Sequence, residues 1–177
     1  MSLHADPVIQ TLLDRQAIVD VLHRYCRGCD RADEVALRSC FHPDATHRHG
    51  GFSGLSHEFV DLAMQIVTPL KMCKHMLSNV SIALAGDTAH TECHYLAYHR
   101  RVNADTGAEE DFFSGGRYLD RLERRDAVWR IAHRVGLLDF ERYEHPADRT
   151  LWQAPPGQRS AKQPADPLYG EFAALLS

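Results

Sequence analysis

Two short pieces of the chain carry side chains suited to moving a proton. Tyr25-Cys26-Arg27-Gly28-Cys29-Asp30 ends in a carboxylate, and Met72-Cys73-Lys74-His75-Met76-Leu77 sets an imidazole in a mostly apolar run. A carboxylate that takes one ring N–H of an imidazole fixes its tautomer and makes the other nitrogen a general base near neutral pH. Asp30 and His75 are therefore the candidate pair. Spacing alone leaves a second role for Asp30 open, that of capping a short helix starting near Ala32.

The elements that must bring the two pieces together follow from periodicity. Ile9, Leu12, Leu13, Ile18, Val21, Leu22, Tyr25, Cys26 and Cys29 recur at three- and four-residue steps, which predicts one amphipathic helix, capped by Asp6, begun at Pro7 and ending near Gly28. Asp30 lies one turn beyond Cys26, on or beside the inward face, where a carboxylate is costly unless something pairs with it. A second helix is predicted from Ala32 to Phe41, stopped by His42-Pro43, and a third begins at Ser56 as cap and ends at Thr68-Pro69. Ala45 to His49 reads as a short strand and Gly50 to Gly54 as a loop. From His75 onward the pattern is antiparallel: Val80 to Leu84, Thr88 to Val102, Glu110 to Glu123 and Ala127 to Phe140, the last two joined around Arg124-Arg125-Asp126. Helices first and strands afterwards predict an α+β fold, a curved antiparallel sheet wrapped around helices.

Other residues could line the resulting cup. On the long strand Glu92, His94, Leu96 and Tyr98 share one face and Cys93, Tyr95, Ala97 and His99 the other, so either face would offer a Tyr and a His. His133 and Arg134 face opposite ways, and one of them points inward. Arg117 could anchor an acidic or carbonyl group, or pair with an acid on the surface. His47 and His49 share a strand face, but no carboxylate or third histidine stands where it would complete a metal site, and no metal is expected.

Composition narrows the function classes. At 177 residues the chain suits one domain, and a formal charge of -4 offers no electrostatic case for nucleic acid or for an anionic membrane. No apolar run approaches a membrane span and no signal peptide is evident, so a cytoplasmic location is expected. Five irregularly spaced cysteines argue against a disulfide framework, and Cys26-x2-Cys29, inside a helix with no second pair, reads as two small buried thiols. No phosphate loop, nucleophile elbow or dinucleotide fingerprint is present, so no organic cofactor is expected. After Tyr143 the composition shifts to Pro, Gln, Ala and Asp, which divides the chain into a domain of residues 1–143 and a tail of residues 144–177 that packs on it or on a partner subunit.

The order of short motifs resembles the SnoaL-like division of the nuclear transport factor 2-like superfamily. Those motifs are Tyr25-x4-Asp30, Phe41-His42-Pro43-Asp44-Ala45, His75-x3-Asn79, Gly86-Asp87-Thr88-Ala89, Tyr95-Leu96-Ala97-Tyr98-His99, Gly116-Arg117-Tyr118-Leu119-Asp120 and Trp129-Arg130-Ile131. That division includes scytalone dehydratase, bile-acid 7α-dehydratase, hexachlorocyclohexane dehydrochlorinase, polyketide cyclases and the small subunits of ring-hydroxylating dioxygenases. The resemblance implies a cone-shaped fold, a catalytic Asp30–His75 dyad, Tyr25 at the position of a dehydratase tyrosine and Cys73 at that of a dehydrochlorinase cysteine. It also implies a homodimer or higher homo-oligomer formed through the outer sheet face. His94 is a candidate second histidine by position only. The expectation is a cofactor-independent lyase or isomerase for a small hydrophobic, cyclic molecule, with Cys73, His94, Tyr95, Arg117 and His133 as candidate substrate contacts. The alternative is a non-catalytic binding or assembly module.

Overall fold

The structure is a computed structural model that describes residues 6–147, 155 and 159–176. Pro156 and Gly157 of the predicted Pro-rich tail lie outside the described residues. Three helices, α1 (Pro7–Arg31), α2 (Glu34–Ser39) and α3 (Ser56–Val67), accompany six strands: β1 (Phe41–His49), β2 (Phe52–Leu55), β3 (Met72–Ala85), β4 (Thr88–Val102), β5 (Glu109–Arg125) and β6 (Val128–Glu144). The strands form one open, curved sheet in the order β2-β1-β6-β5-β4-β3, antiparallel except for the β1–β6 pair. The helices fill its concave side, so the fold is α+β as expected. Among the described residues no helix is long and apolar enough to cross a membrane.

Helix α1 begins as its sequence dictates: the Asp6 carboxylate accepts the Val8 N–H at 2.8 Å and Pro7 sits in the first turn. It does not stop at Gly28. The helix runs a further turn to Arg31 and ends on Ala32, which takes a left-handed conformation (φ 50°), while the Asp33 N–H returns to the Gly28 carbonyl at 2.8 Å. Gly28 serves packing instead: a Cβ there would come within 2.9 Å of the Leu37 Cβ and backbone nitrogen, where α2 crosses α1. Alanine restores helix propensity worth about 1 kcal/mol but forces the two helices apart at a cost of roughly 1–3 kcal/mol. Gly28→Ala is therefore expected to lower the midpoint of urea unfolding, and an unchanged or higher midpoint would refute the close-approach account.

Helix α2 is shorter than predicted, because Phe41 and His42 already pair into the sheet. Asp33, not Asp30, caps it, accepting the Ala36 N–H at 2.9 Å. Ser56 likewise does not cap α3. It is the first helical residue, and Glu58 reaches back to accept the Leu55 N–H at 3.1 Å. Beneath these helices Ile18, Leu22, Leu37, Leu122 and Ile131 are completely buried, each burial contributing roughly 1.5–3 kcal/mol.

Register shifts fall between Phe41 and Thr46 and between Arg121 and Leu122, and two more bend the sheet in β3 and β5. In β3 the register slips between Ser78 and Ser81, around Asn79 with φ 52°. In β5 the register shifts between Gly115 and Gly116, where a Cβ would collide with Phe140 or with the Leu137 carbonyl. Bulges of this kind increase strand curvature locally. The β5–β6 turn falls at Asp126-Ala127, both at positive φ, one residue later than the sequence suggests.

Residues 159–176 lie across the C-terminal end of α1. The Gln163 N–H meets the Arg31 carbonyl at 2.9 Å, Arg31 pairs with Asp166 at 3.2 Å, and the Tyr169 hydroxyl donates to Asp33 at 2.8 Å. Lys162 caps the last turn of α3 through the Val67 and Thr68 carbonyls.

Candidate active site

The extra turn of α1 carries Asp30 to the edge strand β3. Its Oδ1 lies 2.8 Å from His75 Nδ1, and its Oδ2 accepts the His75 backbone N–H at 3.1 Å. An edge strand leaves every second N–H without a strand partner, and here a helix carboxylate supplies one. Because an ionised carboxylate only accepts, neutral His75 holds its proton on Nδ1 and keeps the Nε2 lone pair free. Both side chains are largely shielded, at 9% and 14% exposure for His75 and Asp30. The Cys73 thiol completes the group, 3.8 Å from Asp30 Oδ1 and 3.9 Å from His75 Nδ1. Burial, and then the Asp30 charge, push that thiol up to about 12, so it is un-ionised at neutral pH.

His75 opens onto a cavity of about 380 Å³ between α1, α3 and the sheet. Phe52, Phe59, Leu62, Ala63, Ile66 and Val67 form its apolar wall; Tyr25, Tyr118, His49 and His99 contribute the other polar groups. Burial raises Tyr25 and Tyr118 well above the usual phenol range and lowers His49 and His99 to about 4. At neutral pH Tyr25, Tyr118, His49 and His99 are thus un-ionised donors and acceptors against an apolar wall, with the Asp30 carboxylate behind His75. A larger groove of about 930 Å³ lies on the other side of α1, against the C-terminal segment, and is lined by none of the candidate catalytic or substrate-contact residues.

The inward face of β4 is the one bearing Cys93, Tyr95, Ala97 and His99. Tyr25 and Cys73 reach the site, and Tyr95 stands one layer back with its ring stacked on Tyr118 at 4.5 Å. Three expected contacts do not reach it. His94 lies on the outer face, 46% exposed and 3.9 Å from Glu92. Arg117 is on that same face, pairing with Glu92 at 3.2 Å. His133 turns away from the core and bonds Thr46 Oγ1 at 2.7 Å. In each case strand parity decides, since the neighbour of opposite parity faces inward.

Two residues that the sequence offered only as alternatives take their places. His99, the direct cross-strand partner of Cys73, brings its ring within 5.4 Å of the His75 ring. Arg134 is fully buried under the pocket floor, held by Asp120 through bonds of 2.6 and 2.7 Å. Its guanidinium lies 4.0 and 4.3 Å from the Tyr25 and Tyr118 ring centroids, in the corner made by the two near-perpendicular rings, and braces both phenols. Beside it His47 stacks on Phe59 at 3.6 Å, and neither of its ring nitrogens has a hydrogen-bond partner among the described residues.

Helices cupped in an open six-stranded sheet define a nuclear transport factor 2-like fold. The chain belongs to the SnoaL-like domain family, whose model matches residues 10–135. It is similar to terrestric acid biosynthesis cluster protein E of Penicillium crustosum, with 29% identity over 139 residues covering 75% of this chain and 89% of that protein. Among solved structures it resembles a type 2 hexachlorocyclohexane dehydrochlorinase (LinA), with a TM-score of 0.70, 22% identity, and 83% of this chain and 97% of that one covered. A putative scytalone dehydratase from Novosphingobium aromaticivorans gives a TM-score of 0.66 at 20% identity, over 78% and 96% of the two chains. At such identities the structural likeness speaks for the fold.

Proposed function

We propose that the protein is a cofactor-independent lyase or isomerase in which Asp30 and His75 act as a dyad on a small, uncharged, cyclic substrate. The observation that carries this reading is the 2.8 Å contact between Asp30 Oδ1 and His75 Nδ1 at the wall of an apolar cavity. His75 Nε2 removes a proton from a carbon next to a carbonyl, and Asp30 balances the imidazolium that forms. The electron pair moves onto the carbonyl oxygen, where the un-ionised Tyr25 phenol donates a hydrogen bond. In an elimination the pair then returns to expel a β-leaving group, which collects its proton from the His75 imidazolium. In an isomerisation the proton is returned to a different carbon. The apolar wall holds the ring of the substrate and keeps water from competing.

A volume of about 380 Å³ and a lining without an exposed cation favour a neutral molecule of one or two rings over an anionic or phosphorylated one. Exposed Leu96 and Phe140 on the outer sheet face support self-association as part of the same proposal.

The test is proton NMR in D2O with a panel of cyclic ketones, with and without a β-hydroxyl or β-halogen. Wild type is expected to exchange the α-proton or eliminate the β-group on at least one member, and His75→Ala to do neither. A panel that reacts with neither exchange nor elimination, or a His75→Ala protein as active as wild type, would refute the dyad reading.

A further inference from the structure

Opposed residues in the β3–β4 pair place a set of metal-binding groups at this site that no sequence spacing reveals. Cys73 stands directly across from His99, and His75 lies two residues further along the same face of β3. One donor atom from each of the three lies within 4.8 Å of the others, and among the described residues this is the one group of three His, Cys, Asp or Glu side chains that meets such a spacing. We propose that Cys73, His75 and His99 bind a single soft divalent cation of the zinc class, and that its binding takes His75 out of proton transfer.

The donor chemistry chooses the metal. A thiolate with two imidazoles suits Zn2+ or Co2+ and offers nothing to Mg2+ or Ca2+, which require oxygen ligands. Tetrahedral bonds of about 2.0–2.3 Å need donors roughly 3.3–3.8 Å apart. The Cys73 Sγ to His75 Nδ1 separation is 3.9 Å, and side-chain adjustments of an ångström or less would close the rest. Asp30, with Oδ1 3.8 Å from the sulfur, adds the negative charge that a dication needs in a shielded site. As the metal binds, the thiol proton leaves to solvent and the His75 ring proton moves from Nδ1 to Nε2, so that Nδ1 ligates in place of its bond to Asp30 Oδ1 and Nε2 loses the lone pair that served as base; no electrons are transferred. Three protein ligands leave one coordination position for water or a ligand in the cavity. The site itself does not depend on the catalytic reading; only the consequence for His75 does.

The stacked pair His47 and His49 is the natural competitor, with rings 5.9 Å apart, but among the described residues it has no third donor. The test therefore asks whether sulfur is bound. Co2+ titrated into the reduced, metal-free protein is expected to give a thiolate-to-cobalt charge-transfer band that saturates at one equivalent. Cys73→Ser should abolish the band, His99→Gln should abolish or strongly weaken it, and His94→Ala, on the outer face, should leave it intact. Zinc absorption fine structure on the unmutated protein gives the answer without any variant: one sulfur at about 2.3 Å and nitrogens at about 2.0–2.1 Å. Binding through nitrogen and oxygen alone, a band that survives Cys73→Ser and His99→Gln, or no binding at one equivalent would overturn the proposal. None of those results would alter α-proton exchange by the metal-free protein, so the two readings fail separately.

Discussion

His75→Ala is expected to remove turnover by a factor of about 10² to 10⁴, the range that a positioned general base contributes, while the protein stays folded. The fold should survive because the side chain's polar bonds among the described residues run to its immediate neighbours, Asp30 and Cys73. With the ring gone, Asp30 Oδ2 still accepts the residue-75 backbone N–H, so the carboxylate is not left without a donor. Asp30→Asn probes the other half of the pair. Its amide either presents oxygen to Nδ1 without the balancing charge or turns its NH2 there and forces the ring proton onto Nε2, which destroys the base. A loss in kcat/KM for both variants, with near-native circular dichroism and urea midpoints, is the expected result. His75→Gln serves as the larger, polar replacement if His75→Ala proves unstable. Retained activity in these folded variants would show the dyad to be an accident of packing.

Stability should fall steeply as the pH drops from about 6.5 towards 4. Burial lowers His47 to about 2 and His49 and His99 to about 4, with the Arg134 charge adding to the effect on the first two and the His75 and Lys162 charges on the third. In the unfolded chain each histidine takes a proton near pH 6.5. Between these limits the unfolded state holds more protons than the folded one, so its free energy falls faster as acid is added and the folded state loses ground. Above pH 6.5 all three are neutral in both states and the effect vanishes. Three such groups give a slope of up to about 4 kcal/mol per pH unit, and less where the open side of the cavity lets solvent reach His49 and His99. Urea denaturation at half-unit steps from pH 7.5 to 4.5 measures it. His47→Phe, which keeps the stack on Phe59 and removes the buried imidazole, should reduce the slope by about one proton. A flat profile in wild type would refute the account of buried neutral histidines.

How much of this was legible beforehand depends on whether the deciding contact is local. The Asp6-Pro7 start of α1, the inward face of its later turns from Ile18 to Cys29 and the span of β4 follow from periodicities inside each element, and the structure reproduces them. Leu12 and Leu13, assigned to the same face, are exposed, and Asp14 is buried instead, held by Trp129 and Arg124. The outcome for β4 could not be read locally, because both of its faces carry a tyrosine and a histidine; only packing against α1 and α3 selects the face with Tyr95 and His99. Gly28 invites a stop signal, yet the space it leaves is for Leu37, a residue whose approach the helix sequence does not record. Arg134 is the sharpest case. An arginine in a hairpin strand belongs on the surface unless a partner neutralises it, and that partner, Asp120, is its cross-strand neighbour in the β5–β6 register. Once the register is known the burial is intelligible: a bidentate pair against two phenol rings satisfies a charge that would otherwise cost several kcal/mol.

The slipped register of β3 has one further consequence. Up to Ser78 the odd-numbered residues Cys73, His75 and Leu77 turn inward; beyond Asn79 the even-numbered Val80, Ile82 and Leu84 do, because Asn79 and Val80 together face the single residue Cys93. The bulge acts as a phase shifter between two messages written on one strand, the first chemical and the second aliphatic. Without it, whichever half kept its orientation would turn the other half out to solvent. Insertions and deletions between His75 and Val80 are thus tolerable only in even numbers, a parity rule on chain length that holds apart from the identity of any one side chain.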